Sequence, residues 1–144
     1  MKRISKFRLL FLSLFFVSCL GCEKPIKYAE VEGIVKYNGK PVPKVKVQFL
    51  PDAEKGAIGP HSTAITDEQG KFKLECIDPQ TKKKKGAVVG LHRVLIEDSD
   101  RPFTPQGQKP PPPRIPIKYA TAVGSKLEIE VKDGSQTIPI DLQD

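Results

Sequence analysis

Apolar and polar residues alternate with a period of two along most of the chain, the spacing that sends successive side chains to opposite faces of a strand. Val45, Val47 and Phe49 take turns with Lys44, Lys46 and Gln48, and Val31, Gly33, Val35 and Tyr37 with Glu32, Ile34 and Lys36. Between these runs Asn38 and Gly39 supply positive φ at low cost, so the pair is either a hairpin or a corner between sheets. Farther on, His61 to Thr66 and Lys71 to Ile77 flank a tight turn over Asp67 to Gly70. There the Asp side chain can accept backbone N–H groups and the Gly can turn left-handed. Leu91 to Glu97 is apolar on both faces, Leu91 and Leu95 to one side and Val94 and Ile96 near the other, which predicts a central strand. His92 and Arg93 then need partners or a route to water. Leu127 to Val131 and Thr137 to Leu142, joined at Asp133 and Gly134, close the series, and Pro139 restricts the last strand to an edge.

Seven short strands without a convincing helix predict an all-β sandwich. The same registers place Val47, Phe49, Phe72, Leu74, Ile129 and Ile140 face to face between its sheets. Two stretches fall outside the alternation. Residues 98 to 116 carry Pro102, Pro105, Pro110 to Pro113 and Pro116, and read as a stiff exposed loop; the PxxP of Pro110 and Pro113 is a formal match only. Lys82, Lys83, Lys84 and Lys85 read as a solvated hairpin tip whose like charges keep it from pairing with a neighbouring chain. The sharper reading of the same lysines is contact with an anionic surface.

The first residues have another character. Lys2, Arg3, Lys6 and Arg8 precede an apolar run from Leu9 to Leu20, which is shorter than the roughly 18 residues a bilayer span requires and is ended by Glu23, Lys24 and Pro25. These are the parts of a secretory leader. Leu20, Gly21 and Cys22 resemble the end of a bacterial lipobox, a resemblance that implies diacylation of Cys22 as the first mature residue. Cys19 stands where a Leu-like residue is usual, and Phe16 to Cys19 makes a second, poorer lipobox; Gly21 favours Cys22. An ordinary leader with a spare thiol is the plainer alternative. The expected organisation is a leader over residues 1–21, a short tether over 22–29 and one domain over 30–144, exported and lipid-anchored on the periplasmic or surface face of a bacterial membrane.

Charge adds little to this picture. The chain of 144 residues has a formal charge of +7, but the four basic residues of the leader supply more than half of it, and Lys82 to Lys85 exceed what is left. The rest of the domain is near neutrality, which argues against a nucleic-acid binder. With Cys22 acylated and Cys19 lost, Cys76 has no disulfide partner and is expected as a small buried hydrophobe in register with Phe72 and Leu74. Neither His61 nor His92 forms a recognisable motif with it. Asp67, with only Glu68 beside it, is poor in oxygens for calcium, and no zinc spacing occurs. No metal or cofactor is expected.

In order, GIVKYNGKPVPKVKVQFLP, ITDEQGKFKL, GAVVGLHRVLI, IPIKY and LEIEVKDGSQTIPIDL resemble the carboxypeptidase regulatory-like, or transthyretin-like, domains of small bacterial lipoproteins. That resemblance spans residues 30 to 144 and implies a seven-stranded Greek-key sandwich of the prealbumin type. His92 stands where an aromatic is usual, and the proline loop is longer than expected. The leading functional expectation is a non-enzymatic, lipid-anchored module of the cell envelope with a structural or protein-interaction role. Binding of carbohydrate or another envelope polymer is the alternative, weakened because there is no Trp and only Tyr28, Tyr37 and Tyr119 among tyrosines. A transthyretin-like hydrolase comes last, because the chain ends in Ile140 to Asp144 without the Tyr-Arg-Gly-Ser signature of that branch. Expected partners are the membrane, through the N-terminal lipid, and an envelope protein or polysaccharide.

Overall fold

A computed structural model describes residues 25–78 and 82–144, and these residues form an all-β molecule with two sheets in a sandwich-like arrangement. Its strands are β1 (Tyr28–Ala29), β2 (Val31–Tyr37), β3 (Lys40–Pro41), β4 (Val45–Pro51), β5 (Ser62–Ile65) and β6 (Lys71–Lys73). They continue as β7 (Glu75–Asp78), β8 (Lys82–Lys85), β9 (Ala87–Val88), β10 (Gly90–Asp98), β11 (Glu128–Val131) and β12 (Gln136–Leu142). One sheet runs β11-β10-β4-β5-β7-β8; the other runs β12-β2-β3, with β6 also paired to β2, and β1 pairs only with β9.

The described residues therefore hold twelve strands rather than the expected seven. Two-residue pairings at β1, β3 and β9 account for part of the difference, and β8 for another. The remainder is a break. The run from Lys71 to Ile77 is interrupted at Leu74, so that β6 pairs with β2 in one sheet and β7 with β5 in the other. A strand that must serve both sheets cannot keep one continuous ladder.

The opening pair is a corner between sheets. β2 and β4 lie in different layers, and the chain crosses after β3 through Lys44, whose φ of 54° is the left-handed value that a tight change of direction requires. Thr66 ties the corner down: its hydroxyl donates to the Val42 carbonyl at 2.8 Å and accepts from the Val45 amide at 3.0 Å. Nearby the Asp67 carboxylate accepts from the amides of Gln69 (2.9 Å) and Lys71 (2.8 Å), as a turn of this composition predicts.

The core lies between the layers. Val31, Val35, Phe72, Ile140 and Leu142 on one side meet Val45, Val47, Phe49, Val94, Ile96 and Val131 on the other, and the Phe49 and Phe72 rings sit 6.5 Å apart across the interface. Five of the six predicted core residues are buried, and Ile129 is half-buried against them. β10 is central, between β11 and β4, and β12 is an edge strand, running parallel to β2 with Pro139 opposite Ile34. His92 joins Val94 and Ile96 on the core face of β10, while Arg93 points to water.

The proline-rich segment has no strand between Asp98 and the short 3-10 turn Ile117–Ala120 and is mostly exposed, but Ile115 is buried in the core. At the other end of the sandwich the folded body takes in Tyr28 and Ala29, which the sequence reading assigns to the tether. β1 lies against β9, and Ala29 is buried. Gly86 makes this crossing feasible: with φ of 88° it passes so close to the Ala29 backbone that a Cβ would collide with it.

Candidate functional site

The lysine run is not a loop tip. Lys82–Lys85 form β8, the outer strand of the six-stranded sheet, antiparallel to β7 with Glu75 opposite Lys85, Cys76 opposite Lys84, Ile77 opposite Lys83 and Asp78 opposite Lys82. Four like charges favour an extended chain because alternate side chains then point to opposite faces. The acids at either end of β7 supply counter-charge. Lys83 Nζ lies 2.6 Å from Glu75 Oε2, an exposed pair.

On the inner face, the Lys84 ammonium sits 5.8 Å above the centre of the Tyr28 ring. The Tyr28 hydroxyl in turn donates a short hydrogen bond to Asp78 Oδ2, and Asp78 is nearly buried. Burial first, then the bond to Asp78 and its negative charge, push the Tyr28 hydroxyl far above the usual phenol range, so it stays a donor. Lys84, Tyr28 and Asp78 thus fasten the incoming chain to the edge of the sandwich. Nothing in the residues before the first long strand marks Tyr28 as structural, since its partners lie some fifty positions away.

Two surface grooves adjoin this edge. The smaller, about 330 Å³, lies at the seam where β2 and β12 begin and is lined by Glu30, Glu32, Lys73, Glu75, Lys85 and Gln136 among others. Its charges are mixed, and Lys73 pairs with Glu32 at 3.1 Å. A shallower groove of about 840 Å³ follows the flank where β5 and β6 diverge, over Phe72, Ala64 and Ile34. Both are consequences of the strand switch at Leu74.

Cys76 is buried on the core face and among the described residues is unbridged. Burial pushes its thiol upward, and the Ser62 hydroxyl across the ladder opposes this without cancelling it, which favours the protonated sulfur. His61 is exposed and precedes Ser62, so by strand alternation it faces away from Cys76. His92 is fully buried beside Phe49, with ring centres 5.7 Å apart. Its Nδ1 donates to the Gly90 carbonyl at 3.0 Å, which leaves Nε2 as a buried acceptor without a partner. Burial lowers its pKa.

Among the described residues no group of three or more His, Cys, Asp or Glu side chains could hold a metal ion, and no helix is long and apolar enough to cross a membrane. The proposed lipid attachment at Cys22, like the leader and Cys19, lies outside the described residues. No protein-family model, curated protein or solved structure matches the chain.

Proposed function

We propose that the chain is a non-enzymatic, lipid-anchored module of the bacterial cell envelope with a structural or protein-interaction role. The observation that carries this reading is how the chain joins the sandwich. Tyr28 is fixed by β9, Asp78 and Lys84 only six residues after Cys22, so an acyl group there would hold the folded body against the bilayer rather than on a stalk. The basic-then-apolar leader before Cys22 supports the same reading. The finer assignment, a Greek-key domain of the transthyretin-like, carboxypeptidase regulatory-like type, belongs to this proposal and rests on the order of strand and turn motifs.

Polymer binding takes second place. Stacking on sugars asks for open aromatic faces, whereas Tyr28 lies under Lys84, and the Tyr37 and Tyr119 hydroxyls are bound to Asp144 and to the Gln143 carbonyl. Intact-mass measurement of membrane-extracted protein tests the anchor. A diacylglyceryl adduct on Cys22, and release of the domain by Cys22→Ser, are the expected results; an unmodified soluble chain, or acyl mass on Cys19, refutes the reading.

A further inference from the structure

The end of the sandwich that receives the N-terminal segment also carries exposed isoleucines. Ile58, on the loop after β4, is 68% exposed and Ile26 is 44% exposed. The two meet around Gly59: Ile58 precedes it in the chain, and a Cβ added at Gly59 would stand 3.4 Å from Ile26 Cγ2 and 2.6 Å from Val88 Cγ2. The loop is held to the start of β10, where Ala57 packs on Gly90, and the Val89 amide bonds the Lys27 carbonyl at 2.9 Å. The apolar pair is therefore part of the folded body.

We infer that Ile26 and Ile58 form a membrane-contact patch that rests in the boundary between lipid headgroups and acyl chains. The inference rests on the proposed acylation of Cys22. Ile26 is four positions after Cys22, so their Cα atoms are at most about 14 Å apart even in a fully extended chain. A diacylated Cys22 would lie at that boundary. The leash thus keeps Ile26 within a headgroup layer's depth of the acyl chains, at an effective concentration that makes weak apolar contact sufficient.

Charge complementarity plays the smaller part. Three basic groups at this end are engaged within the protein: Lys27 with Asp133 at 3.5 Å, Lys55 with Glu128 at 3.3 Å and Lys83 with Glu75 at 2.6 Å. Contact through the isoleucines is therefore expected on zwitterionic lipid and to persist at raised salt, which separates it from docking through the β8 lysines.

The chain contains no Trp, so a single introduced indole reports its own surroundings. Ile58→Trp and, as control, Phe103→Trp are prepared in the full lipidated protein and reconstituted into phosphatidylcholine vesicles with brominated acyl chains. Phe103 is exposed on the loop that leaves from Asp98, at the far end of nine-residue β10, about 26 Å from Gly90. The expected result is a blue-shifted emission from Ile58→Trp that brominated lipid quenches, unchanged by salt, with Phe103→Trp unshifted and unquenched. Acyl mass on Cys22 is read on the same preparation. An acylated protein whose Ile58→Trp emission is unquenched overturns the patch while leaving the anchor standing. A blue shift seen only in native membranes, without bromine quenching, assigns the patch to an envelope protein and equally overturns it. Absence of acyl mass overturns both readings.

Discussion

Arg114 closes the proline-rich loop on Asp98. Its guanidinium meets both carboxylate oxygens, through Nε at 3.1 and 3.2 Å and through a short Nη2 contact, and its Nη1 donates to the Pro43 carbonyl at 3.0 Å. Burial alone would raise the Asp98 pKa, but the bonds and charge of Arg114 outweigh it and hold the carboxyl below its ordinary range. One side chain thereby ties the end of the loop to the end of β10 and to the corner before β4.

Arg114→Ala is expected to cost about 2 kcal/mol, the scale of hydrogen bonds to a charged group left without its partner. Limited proteolysis should cut faster between residues 99 and 113. Arg114→Lys should not restore the loop, because an ammonium cannot fork across two carboxylate oxygens and a carbonyl. Full rescue by Lys would reduce the contact to simple charge.

Phe72 and Lys73 are neighbours on opposite faces of β6. Phe72→Ala should cost on the order of 3 to 5 kcal/mol in chemical denaturation, since it empties the contact with Phe49 in the core. Lys73→Ala loses only an exposed pair with Glu32 and should stay within about 1 kcal/mol. Similar losses at both positions would mean the sheet presents its other face to the core.

His92 makes stability depend on pH. Its folded pKa lies below the unfolded value of 6.5, so the unfolded chain binds the proton first as pH falls. Stability is complete above pH 6.5 and declines below it, by at most about 1.4 kcal/mol per pH unit. Denaturation midpoints at pH 7.5 and 5.0 should therefore differ, and His92→Leu should flatten the difference. Asp98 and Asp144, both held below 3.8, lose their stabilising charge only in stronger acid, which keeps the two windows apart.

The β8 lysines guard a sheet edge. Replacing Lys83 and Lys85 together by Val should leave a longer apolar edge and yield more concentration-dependent association in sedimentation velocity than the unaltered chain shows. Vesicle binding that falls when all four lysines become Gln would instead show that they serve an anionic surface.

Strand positions were legible because burial of one face imposes a period of two, and Val45, Val47 and Phe49 display it without interruption. Pro139 marked an edge for the same local reason: it has no N–H to give a second neighbour. What stayed hidden depends on partners far along the chain. Four lysines do not look like a strand until β7 lies beside them, and Tyr28 looks like tether until Asp78 is in reach. Arg114 reads as one more residue of the loop over 98 to 116 rather than as its clasp. The break at Leu74 was hidden as well, since β6 and β7 share one unbroken alternation although they belong to different sheets.

The parallel ladder between β2 and β12 joins Val31 to Gln136 and Tyr37 to Leu142, positions more than a hundred residues apart. During synthesis one whole flank of β2 must wait until almost the last residue has been made, and long-range closure of this kind is slow. Nascent chains arrested before Gln136 should be digested throughout, and those extended past Leu142 should become protected. If the chain is exported as proposed, the final strand would act as a latch that shuts only after Gln136–Leu142 has crossed the membrane.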